Sequence, residues 1–267
     1  MTGLLAQVHH PPEPFEAPGV EILDPPALWE FTLLGIHFDI TRVTLYTLLA
    51  VALVVILFVA AARRPQLVPR GVQNFVESIV QFIREEIALQ VIGREGLAWV
   101  PFLTALFVFI LIGNIFEVIP LIQFPVNSRM AIPALLAGLV WLLFIGTGIR
   151  LHGLSYFKDV LFPPGVPKPI YILLTPIELI STFVVRPITL SVRLLANMVA
   201  GHMILTVFFL GTVYLMLSLP WGPLVGVPAF ALSTALVGFE ILVSVLQAYI
   251  FTILTAVYIG GAIHPDH

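Results

Sequence analysis

Among the residues able to do chemistry, the most informative ones stand where charge is most expensive. Arg193 lies within Leu190-Ser-Val-Arg-Leu-Leu-Ala-Asn197, deep in an apolar stretch, and Glu240 is the only charge between positions 228 and 263. A charged side chain at the centre of a bilayer costs about 2.5–3.5 kcal/mol on insertion scales. A guanidinium stays protonated in any protein setting, so Arg193 is a fixed positive charge, suited to be an electrostatic barrier or a counter-ion. The plainer alternative is a static pair with Glu178 or Glu240. His202 and Glu240 are the candidates for proton exchange. Imidazole titrates near neutral pH, and an intramembrane carboxyl can pass protons with it through water. A hydrogen bond to a backbone carbonyl is the plainer reading of His202. Asn114 and Glu117 stand near the far end of another apolar run, where they either line a wet path or cap the mouth of a helix.

Spacing groups these residues. Thr182, Arg186, Thr189, Arg193 and Asn197 are separated by 4, 3, 4 and 4 positions, which predicts one polar stripe along a helix. His202 falls half a turn away, on the other face. Glu240, Ser244 and Gln247 follow at 4 and 3, again on one face. Glu178 and Arg186 form a second pair, or Arg186 reaches an interface. His9, His10, His264 and His267 sit in tails and carry no assignment.

The elements that must hold these groups are read from hydropathy. Of 267 residues 59% are hydrophobic and 10% charged, and mean hydropathy is +1.06. Soluble domains carry roughly 25% charged residues, so the fold class expected is an all-α integral membrane protein. Net charge is −3, which speaks against nucleic acid as a partner, and the absence of cysteine excludes disulfides. No phosphate-cradling GxxxxGK[ST] run is found, and no cofactor or metal is expected. Positions 1–42 are Pro-rich and mostly acidic, a tail with at most short local structure and without the features of a signal peptide.

The first span is expected over 43–62, ending in Arg63-Arg64-Pro65, which places the N-terminus outside and the basic end in the cytoplasm. Over 71–95, Phe75, Val76, Ile79, Phe82, Ile83 and Ile87 recur at helical spacing among Glu77, Arg84, Glu85 and Glu86. This predicts an amphipathic helix, either on the cytoplasmic surface or docked on a partner subunit. Spans follow at 97–119 and 134–149, with an outside turn marked by Pro120, Pro125, Asn127 and Pro133. The loop with Arg150, Lys158, Lys168, Pro163 and Pro164 is basic and expected to be cytoplasmic. Two long helices are expected over 170–217 and 228–263, broken at 218–223, the first kinked by Pro176 and Pro187. At ~1.5 Å per residue they measure about 72 and 54 Å, too long to cross upright, so a steeply tilted hairpin is expected. Positions 264–267 form a cytoplasmic end. The whole of 43–263 reads as a single membrane domain.

Three segments carry a family resemblance. Pro187-Ile-Thr-Leu-Ser-Val-Arg-Leu-Leu-Ala-Asn-Met-Val-Ala-Gly-His202, Leu246-Gln247-Ala248-Tyr249-Ile250-Phe251 and Asn114-Ile-Phe-Glu117-Val-Ile-Pro120 resemble segments of subunit a of the F-type, rotary ATP synthase. The resemblance covers roughly 40–263. It implies a non-catalytic stator subunit of the membrane Fo sector, with two proton half-channels separated by Arg193, which faces the c-ring. Gln247 is implied beside Arg193 on the opposing helix. His202 and Glu240 match a pair near the proton inlet, where some members carry the acid first and the histidine second. By this resemblance the spacing from Glu178 to Arg193 is one residue longer than in some members. Implied partners are the c-ring, subunit b of the peripheral stalk, the rest of the FoF1 complex and the lipid bilayer, and the implied location is a bacterial plasma membrane. Two rivals differ in class. A secondary transporter would show a repeat and broken half-helices, neither of which is found. A membrane scaffold would tolerate neutral residues at Arg193, His202 and Glu240.

Overall fold

An apolar chain in lipid must close every backbone hydrogen bond on itself, which makes helices the default. The computed structural model describes residues 19, 28–33, 36–63, 66–119, 122, 126–162, 167–218 and 221–264. Arg64, Pro65, Pro120, Pro125, Pro163, Pro164, His9, His10 and His267 lie outside these residues, as does nearly all of the tail before position 28. Among the described residues, five helices are long and apolar enough to cross a membrane. The chain is an all-α, multi-pass membrane protein, with one short ribbon outside the helices. In that ribbon β1 (Trp29–Leu33) pairs antiparallel with β2 (Ile36–Ile40), Trp29 facing Ile40. The alternation Ile36-His-Phe-Asp-Ile40 suits a strand.

Helix α1 (Arg42–Ala62) buries only Val43, Ala50 and Ala61, leaving an apolar surface for lipid or other chains. Helix α2 (Val72–Phe82) runs on as π-helical turns over Ile83–Ile92. Sequence analysis left this amphipathic segment on a membrane surface or on a partner. Its apolar side packs against α3 (Val100–Val118) and α8 (Gly222–Ile263) of its own chain. Ile83, Ile87, Ala88 and Ile92 are buried there, and their repeat of four to five residues fits i→i+5 bonding. Phe82 meets the ring of Tyr249 at 6.0 Å. Glu77, Arg84, Glu85 and Glu86 stay exposed. The chain then reverses at Gly93, whose φ of 92° suits glycine, and a 3-10 stretch Arg94–Trp99 leads into α3.

A 3-10 turn, Val126–Ser128, precedes α4 (Ala131–His152). α4 outruns the expected 134–149 at both ends. Pro133 fits a first turn, where a missing N–H costs nothing, and Arg150 and His152 complement the negative end of the last turn. The short α5 (Ser155–Leu161) leads by way of Lys168–Ile170 to α6 (Tyr171–Ile180). α6 continues through a π segment, Ser181–Val185, into α7 (Arg186–Ser218). The irregularity expected at Pro176 and Pro187 is thus a widened turn just before Pro187, which has no N–H to offer the carbonyl of Phe183. α8 begins six residues before the expected 228, with Pro223 in its first turn and Pro228 inside it.

α7 and α8 pack antiparallel along their lengths. Near the turn between them a Cβ on Gly222 would meet the Leu215 and Met216 carbonyls. Further in, the hydroxyls of Thr212 and Ser233 lie 3.2 Å apart and buried, and deeper still Gly201 faces Glu240. One register therefore holds over several turns. The chain has no cysteine, so this register is open to a clean test. Thr212→Cys with Ser233→Cys should form an intramolecular disulfide under mild oxidation, seen as altered migration on a non-reducing gel. The pair Leu210→Cys and Ser233→Cys, with position 210 turned outward, should not. Equal yields from the two pairs would refute the register.

Candidate functional site

Between α3, α7 and α8 several ionisable and amide side chains converge at one level of the core. Glu117, in the last turn of α3, has a side chain with no solvent exposure, and its Oε1 lies 3.8 Å from Nδ1 of His202 on α7. Glu240, on α8, is buried with its carboxyl against the backbone of α7. A Cβ placed on Gly201 would stand 2.6 Å from the Glu240 carboxyl carbon, so only glycine leaves room for the carboxyl there. The Glu117 and Glu240 carboxyls are near enough to interact electrostatically. Asn114, one turn before Glu117, donates to the Ser244 carbonyl of α8 at 3.4 Å and accepts at 3.1 Å from Asn127.

Both Glu117 oxygens, Asn127 Oδ1, Ser128 Oγ and Gln247 Nε2 are buried without a protein hydrogen-bond partner. Buried polar atoms of this kind are normally satisfied by water. The arrangement is two carboxyls and one imidazole from three helices, flanked by amides, in a medium that otherwise excludes charge. It can accept, hold and hand on a proton. No cluster of three metal-ligating side chains occurs among the described residues.

Arg193 stands apart from this cluster. It is exposed on α7, and among the described residues it makes no ion pair or hydrogen bond. Thr189, Ala196, Ala200 and Ile204 share its exposed face, while Leu190, Leu194, Met198 and Leu205 turn inward. The static pair with Glu178 or Glu240 weighed from sequence is therefore not formed. Glu178 instead bonds Arg186 at 3.2 Å and accepts from Thr182, and the Arg186 guanidinium lies 5.4 Å from the centre of the Tyr258 ring. Nearby, burial pushes the Tyr156 phenol above its ordinary value, while the charge of Arg186 pulls it down.

The single polar stripe expected on α7 is corrected accordingly. Thr182 is buried and Arg186 half-buried beside Glu178, whereas Thr189 and Arg193 face outward; the π segment separates Thr182 from the rest of the stripe, and Arg186 differs from Arg193 because it lies beside Glu178. Asn197 is half-buried, and Gln247 is buried. Asn127, Ser128 and Gly201 were not singled out from sequence as site residues. Asn127 read as a turn marker, and a glycine that admits a carboxyl has no signal of its own.

The Gly201 contact makes a prediction about packing. Gly201→Ala should lower the thermal unfolding midpoint of the purified protein, with an overpacking cost of about 1–3 kcal/mol. Adding Glu240→Asp, one methylene shorter, should recover part of the loss. An unchanged midpoint in Gly201→Ala would show that the helices are not in close contact there.

Known proteins resemble this chain over most of its length. The family described as ATP synthase A chain matches residues 44–260. ATP synthase subunit a of Frankia alni is 43% identical over 96% of this chain and 89% of its own length. The Parafrankia protein of the same name is 46% identical over 93% and 84%, and that of Rhodococcus erythropolis 42% over 94% and 92%. The matched region holds α1 through α8 almost entirely, with the buried cluster and Arg193 inside it, and the chain belongs to the ATP synthase A chain family.

Proposed function

We propose that this chain is the stator subunit of the ATP synthase Fo motor, and that it provides two proton half-channels to and from carboxylates on the c-ring, separated by Arg193. Membership of the family gives it a place in a membrane-embedded ATP synthase complex. The single observation that carries the finer reading is the division of charge on α7. The His202 side meets two buried carboxyls, while the Arg193 side is bare, cationic and without an internal counter-ion among the described residues. The small side chains of Ala196 and Ala200 beside Arg193 would let another helix approach closely.

In this mechanism protons enter from outside through a wet path past Asn114, Asn127, Glu117, His202, Glu240 and Ser244. They neutralise a ring carboxylate, which can then face lipid at little cost. After nearly a full turn the carboxyl meets the inner half-channel and releases its proton. Arg193 attracts the ionised carboxylate and repels protons that would leak directly between the half-channels. Two helical turns inward from the Gly201–Glu240 contact, the α7–α8 register brings Gln247 level with Leu194, next to Arg193 in the chain. Asn197 lies one turn from Arg193 on the same helix. The pair Glu178–Arg186 anchors α6 to α7 and leaves Arg193 as the arginine of α7 available to a partner. A potential of 100 mV adds about 2.3 kcal/mol per proton crossing. The chain itself breaks and makes no covalent bond. The c-ring and subunit b are its proposed neighbours. A bacterial plasma membrane, with the N-terminus outside and the C-terminus in the cytoplasm, is the proposed setting.

Two substitutions test this reading. Arg193→Ala should abolish ATP synthesis driven by a proton gradient, while the assembled complex still hydrolyses ATP when uncoupled. Synthesis at normal rates would exclude the assigned role. Glu117→Gln keeps the size of the side chain but cannot carry a proton. It should reduce passive proton flow through membranes stripped of the catalytic sector by at least about tenfold.

A further inference from the structure

Away from the polar cluster, a cavity of about 810 Å³ opens at the end of the bundle where α4 and α8 finish and the Arg94–Trp99 stretch begins. We propose that this cavity is a binding site for one anionic phospholipid, with the headgroup held by Arg150 and an acyl chain lying along α4.

The lining is amphipathic along its length. Arg150, His152, Glu95 and His264 gather at the helix ends, and Leu142, Leu143, Gly146 and Trp99 form the deeper wall. Leu142 precedes Arg150 by eight positions, so the apolar part extends about 12 Å along α4 into the membrane. A free phosphate would use only the mouth of such a crevice, whereas an amphiphile uses all of it.

Arg150, in the last turn of α4, supplies the mouth with an exposed cation. His152 places Nε2 3.1 Å from the Ile263 carbonyl, which fixes Nε2 as the donor and joins the ends of α4 and α8. His264 lies 3.7 Å from Glu95, so the one carboxylate at the mouth among the described residues already has a basic neighbour. Basic pockets between membrane helices are the usual seats of acidic headgroups, and tryptophan at this depth suits an interface.

Deeper in, Gly146 leaves the helix backbone bare. It is exposed, and a Cβ added there would meet nothing within 4 Å, so a chain can lie directly against the helix. The same open space makes Gly146→Leu a plug that fills the crevice without disturbing protein packing. Neither Gly146 nor Arg150 belongs to the proposed proton path, so this site and the proposed function stand or fall separately.

The test uses the assembled complex in nanodiscs containing phosphatidylcholine and trace photoactivatable lipid, labelled in its acyl chain, with attachment sites mapped by mass spectrometry. A phosphatidylglycerol probe should label 95–99 and 142–151 several-fold more than a phosphatidylcholine probe. Arg150→Gln should cut that labelling about fivefold, the usual worth of one basic residue at an anionic lipid surface. Gly146→Leu should remove it while proton-driven ATP synthesis is retained. Equal labelling by both probes, or labelling indifferent to both variants, would overturn the proposal. So would cross-linking of these residues to another subunit, because the crevice would then be covered by protein.

Discussion

The carboxyl of Glu240 rests on the backbone of α7 at Gly201, and the placement of the other polar groups follows from that contact. Helices in lipid gain little from burying apolar side chains against one another, so close approach at small residues and a few hydrogen bonds must align them. Gly201 supplies the close approach, and the Thr212–Ser233 hydroxyl pair holds the same register nearer the turn. With α8 fixed at that height, the Ser244 carbonyl meets Asn114, and α3 is held with Glu117 facing His202. The Val126–Ser128 turn closes the arrangement, with Asn127 bonded to Asn114.

Hydrocarbon tolerates charge only where something lowers its cost, and the chain uses three different means. Glu178 and Arg186 neutralise each other, with Thr182 and Tyr258 in attendance. Glu117 and Glu240 are withdrawn into a bundle interior that also holds His202 and several amides, where unsatisfied polar atoms call for water. Arg193 has neither kind of support from the described residues and lies at the surface. These solutions suit an anchor, a proton path and a contact with a partner respectively.

Much of this was legible in the sequence because hydropathy and charge report directly on the membrane. The apolar runs located all five long helices, and residues too costly to bury without cause marked Arg193, His202, Glu240, Asn114 and Glu117. What hydropathy could not report was the count of residues per turn. The predicted stripe from Thr182 to Asn197 assumed an unbroken α-helix, whereas the π segment at Ser181–Val185 sets Thr182 apart from it, and Arg186 and Arg193 differ because only Arg186 lies within reach of Glu178. The amphipathic pattern of 71–95 matches helical and π-helical turns over Val72–Ile92 with one buried apolar side. Its docking partner was open, because apolar surface does not name what it packs against, and that partner is the chain's own α3 and α8. Asn127 illustrates the same limit. Its type suits a turn, and only the return of the chain onto α3 brings it to Asn114.

The distances along α7 explain why Arg193 lacks an internal counter-ion. Glu178 precedes it by fifteen residues, about 22 Å along a helix, beyond the reach of any two side chains. Glu178 is also occupied, since the widened turn lets it close on Arg186. Glu240 meets α7 at Gly201, about 12 Å further along than Arg193 and on the inward face. Glu117 is held beside His202, at nearly the same level as Glu240. The acids on these helices are thus engaged on the wrong face or at the wrong height to neutralise Arg193. A guanidinium cannot shed its charge to suit an apolar setting. On the proposed function its counter-charge is an ionised carboxylate of the passing ring, drawn to Arg193 because the surrounding lipid offers that carboxylate no cheaper place to stand.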